Sequence, residues 1–255
     1  MDPGSADRIK TKGQERGLFF SFAKKTRNRL KSRPSAKFIM PKPKKILITA
    51  GPTQEPIDPI RYLSNHSSGK MGYALARACV KAGHQVVLIS GPTNLVVPEG
   101  VVFVAVTTAR EMYRQAISVF PSCDLVFKVA AVADYRVKKK SLRKIKKTGE
   151  TMLLELVRNP DILKKLGQLK KPHQTLIGFA AETHKGAAYA QKKLRGKNLD
   201  WIALNEINKH NVGFGRDDNE VTLISSGGRK VIIPKQGKDA VAKIILETVY
   251  PTATP

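Results

Sequence analysis

Cysteine is nearly missing from this chain. Two in 255 residues, Cys79 and Cys123, build no disulfide framework, which predicts a reducing, cytoplasmic setting. Aromatic residues amount to 6% and form no RNP-type motif of the sort that stacks single-stranded RNA. No run of about 18 apolar residues occurs, so nothing reads as a membrane-spanning helix. Acid is the remaining shortage: 20 Asp and Glu stand against 46 Lys and Arg, a net charge of +26. A surplus of that size asks for an anionic partner, whether nucleic acid, nucleotide phosphates or an acidic membrane surface. What is present suffices for a core, since 41% of the residues are hydrophobic and 26% charged. The length suits one α/β domain or two small ones.

The first 39 residues stand apart. They carry eleven Lys/Arg and three Asp/Glu, and their one apolar cluster is Leu18–Phe22. That cluster is too short for a signal-peptide core, which needs roughly 7–15 apolar residues. A disordered basic tail, an acid-poor transit peptide and an extension ahead of a true start at Met40 all fit. The place of Met40, four residues before the first predicted strand, favours the last. Residues 40–255 are then the folded domain, and they keep 35 Lys/Arg against 17 Asp/Glu.

From Lys44 onward, strand and helix signals alternate. Lys45–Ala50 reads as a buried strand ending at Gly51-Pro52, followed by a long polar loop. A helix over Gly69–Ala82 presents Met71, Ala74, Leu75 and Ala78 on one face. Gln85–Ser90 and Val101–Val106 are strands. Thr108 caps a helix running to about Phe120, with Glu111 completing a capping box. Asp124–Ala133 is a further strand, and Met152–Val157 is strand-like. Pro160 opens a helix capped by Asn159. Thr175–Ala180, a basic helix to Lys197, and the strand Trp201–Leu204 come next. Val221–Ser225 and Lys230–Ile233 flank Gly227-Gly228 as a hairpin, and residues 238–249 form a closing helix. The pattern is that of a Rossmann-like α/β fold: a mostly parallel sheet with helices on both faces, a basic flap and a C-terminal hairpin. Its ligand site is expected beyond the carboxyl ends of the strands.

The loops at that rim are the place to look for chemistry. Residues 51–69 are far longer than the roughly 2–6 residues of an ordinary strand-to-helix loop. At their end, Ser67, Ser68 and Gly69 offer hydroxyls and helix N-terminal amides to a phosphate, or Ser68 simply caps the helix. Ser68-Gly69-Lys70 is not a P-loop, because Met71 replaces the Ser/Thr and the first glycine is missing; nor is there a G-x-G-x-x-G fingerprint. Asp134, closing an apolar strand, suits a ribose hydroxyl or a metal-bound phosphate, and equally a satisfied strand end. Arg136–Lys147 holds eight Lys/Arg and no acid. It reads as a flap that a polyphosphate would neutralise, or as a solvated surface run. Lys193 and Lys197 are four apart on a helix face, a spacing that can clamp phosphate. Phe179 is a core residue or a base-stacking one. The five histidines and two cysteines show no zinc spacing.

Several stretches, taken in order, resemble one family. They are Ile48–Asp58, Ser64–Gly72 (Ser-Asn-His-Ser-Ser-Gly-Lys-Met-Gly), Ala130–Arg136 (Ala-Ala-Val-Ala-Asp-Tyr-Arg) and Lys144–Lys147 (Lys-Ile-Lys-Lys). Asn159–Ile162, Gly178–Thr183 and Lys197–Asp200 complete the set. Together they resemble bacterial phosphopantothenoylcysteine synthetase over about residues 44–250. The resemblance implies a coenzyme A biosynthetic ligase that joins 4′-phosphopantothenate to L-cysteine with CTP and Mg2+, through an acyl-cytidylate, releasing CMP and pyrophosphate. It implies a homodimer, for which the 221–233 hairpin edge offers a pairing strand. The family is usually fused behind a flavin-dependent decarboxylase. Thirty-nine basic residues leave no room for one here, so the expectation is a stand-alone synthetase without flavin, served by a separate decarboxylase.

By the same resemblance, Lys144 binds the triphosphate and stabilises the first step, while Asn65 holds the acyl intermediate for the second. Lys128, Val129 and Ala130 line the nucleotide site, although Lys128-Val129 stands where small residues are commoner. Asp134, Pro160, Asp161, Ile162 and Leu163 contact the nucleotide, Phe179 lies against cytosine, and Lys193 and Lys197 grip ribose or phosphate. Ser67–Gly69 meets the phosphate of phosphopantothenate. Two alternatives stand beside this one: the same ligation with ATP, and a basic RNA-binding protein.

Overall fold

The structure, a computed structural model, describes residues 42–147, 149–182, 186–206 and 217–251. The basic N-terminal segment lies outside them. Residues 41–255 form one compact unit.

Chain order explains the architecture. Strand β1 (Lys45–Ala50) leads through a small antiparallel pair, β2 (Gln54–Pro56) and β3 (Tyr62–Ser64), into helix α1 (Lys70–Lys81). Strands β4 (Gln85–Ser90) and β5 (Val101–Ala105), helix α2 (Ala109–Val119) and strand β6 (Leu125–Lys128) follow. A second small pair, β7 (Tyr135–Val137) and β8 (Leu156–Arg158), precedes α3 (Ile162–Leu169) and β9 (Thr175–Glu182). Then come α4 (Gly186–Gly196), β10 (Trp201–Glu206), the hairpin β11 (Asp218–Ser225) and β12 (Lys230–Gly237), and α5 (Lys238–Val249).

The main sheet runs β12-β11-β10-β9-β6-β1-β4-β5. Six strands from β5 to β10 are parallel, and the C-terminal hairpin adds two antiparallel ones. The inner strands are apolar without alternation, as burial on both faces requires; Ile46, Leu47, Ile48 and Ala50 of β1 are all buried. Helices α1 and α5 close one face around Leu75, Phe127 and Ile245. Helices α2, α3 and α4 close the other around Met112, Leu166 and Leu194. Because β4 lies to one side of β1 and β6 to the other, the chain reverses direction across the sheet between β1 and β6. In open α/β sheets that is where the rim opens into a crevice.

The expected Rossmann-like order is present, with four local corrections. Strand β6 stops at Lys128 rather than Ala133, because Ala130–Ala133 turns away to pair with the loop after β1. The strand predicted at Met152–Val157 is Leu156–Arg158. Helix α3 begins at Ile162, and its cap is Asp161, whose carboxylate accepts from the Lys164 amide at 2.9 Å. Asn159 instead donates to the Ala133 carbonyl at 2.9 Å. The loop after β1 is not wholly irregular, since it contains the β2–β3 pair. The capping box on α2 is present as expected.

Candidate functional site

The crevice is a stitched structure. Beyond β1, Thr53 donates its amide to the Ala131 carbonyl at 3.2 Å, and Ala131 donates back to Gly51 at 3.0 Å. Two buried threonines accept from the same loop: Thr49 Oγ1 from Ala130 N at 3.3 Å and Thr53 Oγ1 from Ala133 N at 3.0 Å. Beyond Val129, whose amide still reaches the Thr49 carbonyl of β1 at 3.2 Å, residues 130–133 leave the main ladder, and these bonds replace the ones they lost. Glu55, buried in β2, accepts the Ala109 amide at the start of α2 at 2.8 Å, which ties the β2–β3 pair to the body. Asn65, exposed after β3, donates its amide to the Ala131 carbonyl at 3.1 Å and so stands at the crevice mouth.

Between these loops lies a cavity of about 240 Å³. Ser67, Ser68 and Gly69 form one wall, Lys128–Val132 the floor, and Phe179–Ala181 the side. Ser68 does not cap α1. The N-cap is Gly69, in the left-handed region at φ 77°, and no side chain caps the helix. A Cβ at Gly69 would meet Thr93 at 2.8 Å, so conformation and space both demand glycine. One turn on, a Cβ at Gly72 would lie 2.6 Å from the Ala50 Cβ, so glycine lets the helix start sit directly over the end of β1. The Gly69 amide donates to the Ser67 hydroxyl at 3.3 Å, but Gly69 has no side chain to cap the first turn, so the positive end of α1 faces the cavity in a way that suits an anion.

Opposite it, cations gather. Lys128 Nζ donates to the Ala130 carbonyl at 2.7 Å. Burial, first, and then the charge of Lys197 bring the Lys128 ammonium down to about 8; Asp161 and Asp134 pull the other way, and Lys193 adds to the depression. Lys193 pairs with Glu182 at 2.6 Å and Lys197 with Asp161 at 2.8 Å. Three lysines and three carboxylates thus share one neighbourhood, drawn from β6, β9, α4 and the loops before β7, before α3 and after α4. Lys128 therefore stays an ammonium near neutral pH but gives up its proton more readily than an ordinary lysine, and an anion beside it would hold the charged form.

The structure brings together most of the residues singled out from the sequence, but not all. Ser67, Ser68, Gly69, Lys128, Val129, Ala130 and Phe179 line the cavity. Asn65, Asp134, Asp161, Lys193 and Lys197 ring it through the contacts above. Ile162 and Leu163 are buried in the core, so only their main chain is available to a ligand, and Pro160 sits before them outside the cavity wall. Lys144 is exposed on the flap, away from the lining.

Four residues of the lining outside that reading are Asn205, Asn219, Met71 and Lys238, and Gly51, Lys70 and Gly72 line it as well. Asn205 follows the apolar stretch of β10, and its buried Oδ1 has no hydrogen-bond partner among the described residues. Asn219 lies in a part of β11 that the hairpin signal did not reach; its amide approaches the Met71 sulfur at 3.8 Å. Lys238 opens α5, and burial, then the charge of Lys70, lowers its basicity. A polar residue following an apolar stretch was the available clue for Asn205. Nothing local marks the other three. Among the described residues, no three His, Cys, Asp or Glu side chains cluster in a metal-binding arrangement. No described helix is long and apolar enough to cross a membrane.

Fold and crevice together define a doubly covered, mostly parallel α/β protein with an anion-receptive cavity at its topological switch point. Residues 42–252 match the family model "DNA/pantothenate metabolism flavoprotein C-terminal domain", and the chain belongs to that family. It is 47% identical over 207 residues to the coenzyme A biosynthesis bifunctional protein CoaBC of Bacillus subtilis, covering 81% of this chain and 51% of that protein. The CoaBC of Escherichia coli is 41% identical over 207 residues, with 80% and 51% covered. The chain spans about half the length of the curated relatives it matches. A crystal structure of the C-terminal domain of a CoaBC protein superposes with a TM-score of 0.69 at 44% identity, covering 81% of this chain and 93% of that one. A Cab2 variant solved with phosphopantothenate-cysteine shares the fold, with a TM-score of 0.66 at 18% identity over 81% of this chain and 85% of that one.

Proposed function

We propose that this chain is a phosphopantothenoylcysteine synthetase, a cytoplasmic ligase of coenzyme A biosynthesis. It joins the carboxylate of 4′-phosphopantothenate to the amine of L-cysteine at the expense of CTP. The observation that carries this reading is the cavity whose lining joins the uncapped α1 start to Lys128, with the charges of Lys193 and Lys197 close behind that lysine. That geometry offers two separate anion sites, one for a terminal phosphate and one for a polyphosphate, with Asn65 at the mouth between them. Lysines converging on a concavity favour a nucleotide over an RNA duplex or strand, which would need an open basic face.

The chemistry follows from the poor leaving group of a free carboxylate. Its oxygen attacks the α-phosphorus of CTP, the α–β bridging bond breaks, and pyrophosphate departs. The cysteine amine then attacks the acyl carbon, loses a proton, and expels CMP. Both steps gather negative charge, so fixed cations and oriented amides supply the main stabilisation. Lys193 and Lys197 hold phosphate or ribose, Lys128 keeps its charge beside the nucleotide, and Phe179 lies along the base. Lys144 is brought by the flap to the transferring phosphate, and the Asn65 amide holds the acyl intermediate. Ser67–Gly69 takes the phosphate of phosphopantothenate. Mg2+ would accompany the triphosphate, held mainly by phosphate oxygens with Asp134 as the rim carboxylate free to face it, since both oxygens of Asp161 are taken by the Lys164 amide and Lys197; it would supply charge neutralisation when bound. No flavin takes part. The protein acts as a homodimer, and a phosphopantothenoylcysteine decarboxylase consumes the product.

The test is mass spectrometry of products from phosphopantothenate, cysteine and each nucleoside triphosphate. The expected result is amide plus CMP with CTP. Turnover with ATP and none with CTP would move the assignment to the ATP-dependent reaction, and no amide with any nucleotide would end the synthetase reading.

A further inference from the structure

The basic flap is anchored from outside its own strand pair. Asp58, on the turn between β2 and β3, is only 4% exposed. Its Oδ1 accepts from the main-chain amides of Ile60 and Arg61, both at 2.9 Å. Those two bonds are all that closing the local turn requires. Oδ2 accepts from Arg61 Nε at 3.0 Å and Nη2 at 2.5 Å, and also from the amide of Ile145, 87 residues along the chain, at 3.2 Å. Arg61 Nη2 then donates to the Ile145 carbonyl at 3.1 Å. One ion pair therefore holds both polar main-chain groups of the residue that follows Lys144. Four residues earlier, the Ser141 amide donates to the Ile57 carbonyl at 2.9 Å, on the same turn. The stretch between these clamps projects outward, with Leu142 83% exposed and Lys144 exposed.

This latch is more than a turn needs and is placed where the flap needs it. Eight like charges between Arg136 and Lys147 repel one another and oppose any single arrangement of the segment. A carboxylate sharing its second oxygen between an arginine and the flap main chain opposes that dispersal at one point, next to the lysine that matters. Preorganising a group in this way removes ordering cost from the step that uses it.

We propose that Asp58, acting through Arg61 and the Ile145 main chain, is a positioning residue for Lys144. It sets the flap for the first half-reaction and has no part in the second. The proposal rests on the synthetase reading. Asp58→Asn keeps the size of the side chain and removes the charge that binds Arg61. Arg61→Lys keeps the charge and removes the fork that reaches Ile145. Three quantities are measured in each: pyrophosphate release from CTP and phosphopantothenate, amide formation from preformed acyl-cytidylate and cysteine, and tryptic cleavage within residues 138–147 followed by mass spectrometry. Pyrophosphate release should fall tenfold or more, amide formation should stay within twofold, and flap cleavage should rise tenfold or more. Lys144→Gln should lose the first step without speeding cleavage at the other flap sites. Unchanged flap cleavage, or an equal loss in both half-reactions, would overturn the proposal. If Asp58→Asn does not fold by circular dichroism, Arg61→Lys, whose side chain is 42% exposed, carries the test. A wild-type chain that releases no pyrophosphate with any nucleotide would end the synthetase reading, while its flap cleavage would still decide whether the latch holds.

Discussion

The cavity lysines and the flap lysines bear the same charge under opposite constraints. The lysines in and behind the cavity wall have fixed acceptors: Lys128 the Ala130 carbonyl, Lys70 the Asp217 carboxylate, Lys238 the Asp218 carbonyl, Lys193 the Glu182 carboxylate and Lys197 the Asp161 carboxylate. On the flap, exposed Lys138 pairs with the exposed Glu155 carboxylate at 2.6 Å, and Arg136 reaches the Arg158 carbonyl. Exposed pairs such as Lys138–Glu155 hold little, about 0–1 kcal/mol. The flap is instead secured through its main chain, by Asp58 and Arg61. The difference separates two ways of preparing charge for a polyanion. One set is oriented in advance at a rigid rim, and the other is carried on a segment fixed at a few points and free to bring its side chains over.

The comparison can be broken most sharply at Lys144. Its replacement by Gln should lower pyrophosphate release about 100-fold or more, the scale of losing one charged contact to a transferring phosphate, as read by single-turnover assay. Nucleotide-binding affinity should change far less, because the rim cations remain. Asn65→Asp should act on the other half-reaction. A carboxylate cannot donate to the Ala131 carbonyl, and it sets a negative charge beside an anionic intermediate, so acyl-cytidylate should accumulate on the enzyme in a quenched-flow trace. Normal amide yield would remove Asn65 from the mechanism.

Lys128 sharpens the contrast through pH. Its folded value of about 8 lies below the ordinary 10.5, so the free protein sheds this proton where an unfolded chain keeps it. Between those two values the unfolded state binds more protons, and folding stability gains as pH rises. Nucleotide binding runs the opposite way: affinity should fall as pH climbs from 7.5 to 9, because the charge must be restored before it can serve. Lys128→Met should weaken nucleotide binding roughly tenfold, the scale of one charge-assisted contact, and should flatten that pH dependence in calorimetric titrations.

Smaller effects test the stitching beneath the rim. Thr53→Val keeps the shape but leaves the buried Ala133 amide without its acceptor, which costs about 1–3 kcal/mol in urea unfolding. The mildest effect concerns acid. His84 is buried at the opposite end of the sheet, accepting from the Lys44 amide at 3.3 Å, with its Nε2 unpartnered. Burial, and then the charge of Lys44, hold its basicity below the usual 6.5. The unfolded chain therefore takes up this proton first, and stability should decline as pH drops below about 6.5. His84→Gln should lessen that decline in thermal melts.

How far the sequence reached depended on the range of the interaction responsible. Thr108 and Glu111 cap a helix through contacts three residues apart, and that helix was read from its own residues. Gln85–Ser90 and residues 238–249 were bounded correctly because apolar content and flanking breakers are local signals. Strand β6 was overextended for the opposite reason. Val129–Ala133 is apolar enough for a strand, but Gly51, Thr49 and Thr53, some eighty residues earlier, offer better partners for its main chain. The Asp161 cap was displaced by the same kind of competition, because Asn159 was taken up by the Ala133 carbonyl.

The candidate site divides along the same line. Residue order alone settled the alternation of strands and helices, the excess of cations, and the presence of a long rim loop ending in Ser-Ser-Gly, since each depends on neighbours a few positions apart. Tertiary structure decided whether Ser68 caps α1 or leaves the helix end open, which lysines meet, that Asn205 and Asn219 face the same cavity, and that Asp58 reaches the flap. Each of those outcomes depends on which groups a parallel sheet brings together from distant strands, and a parallel sheet joins only segments that its crossovers have already separated.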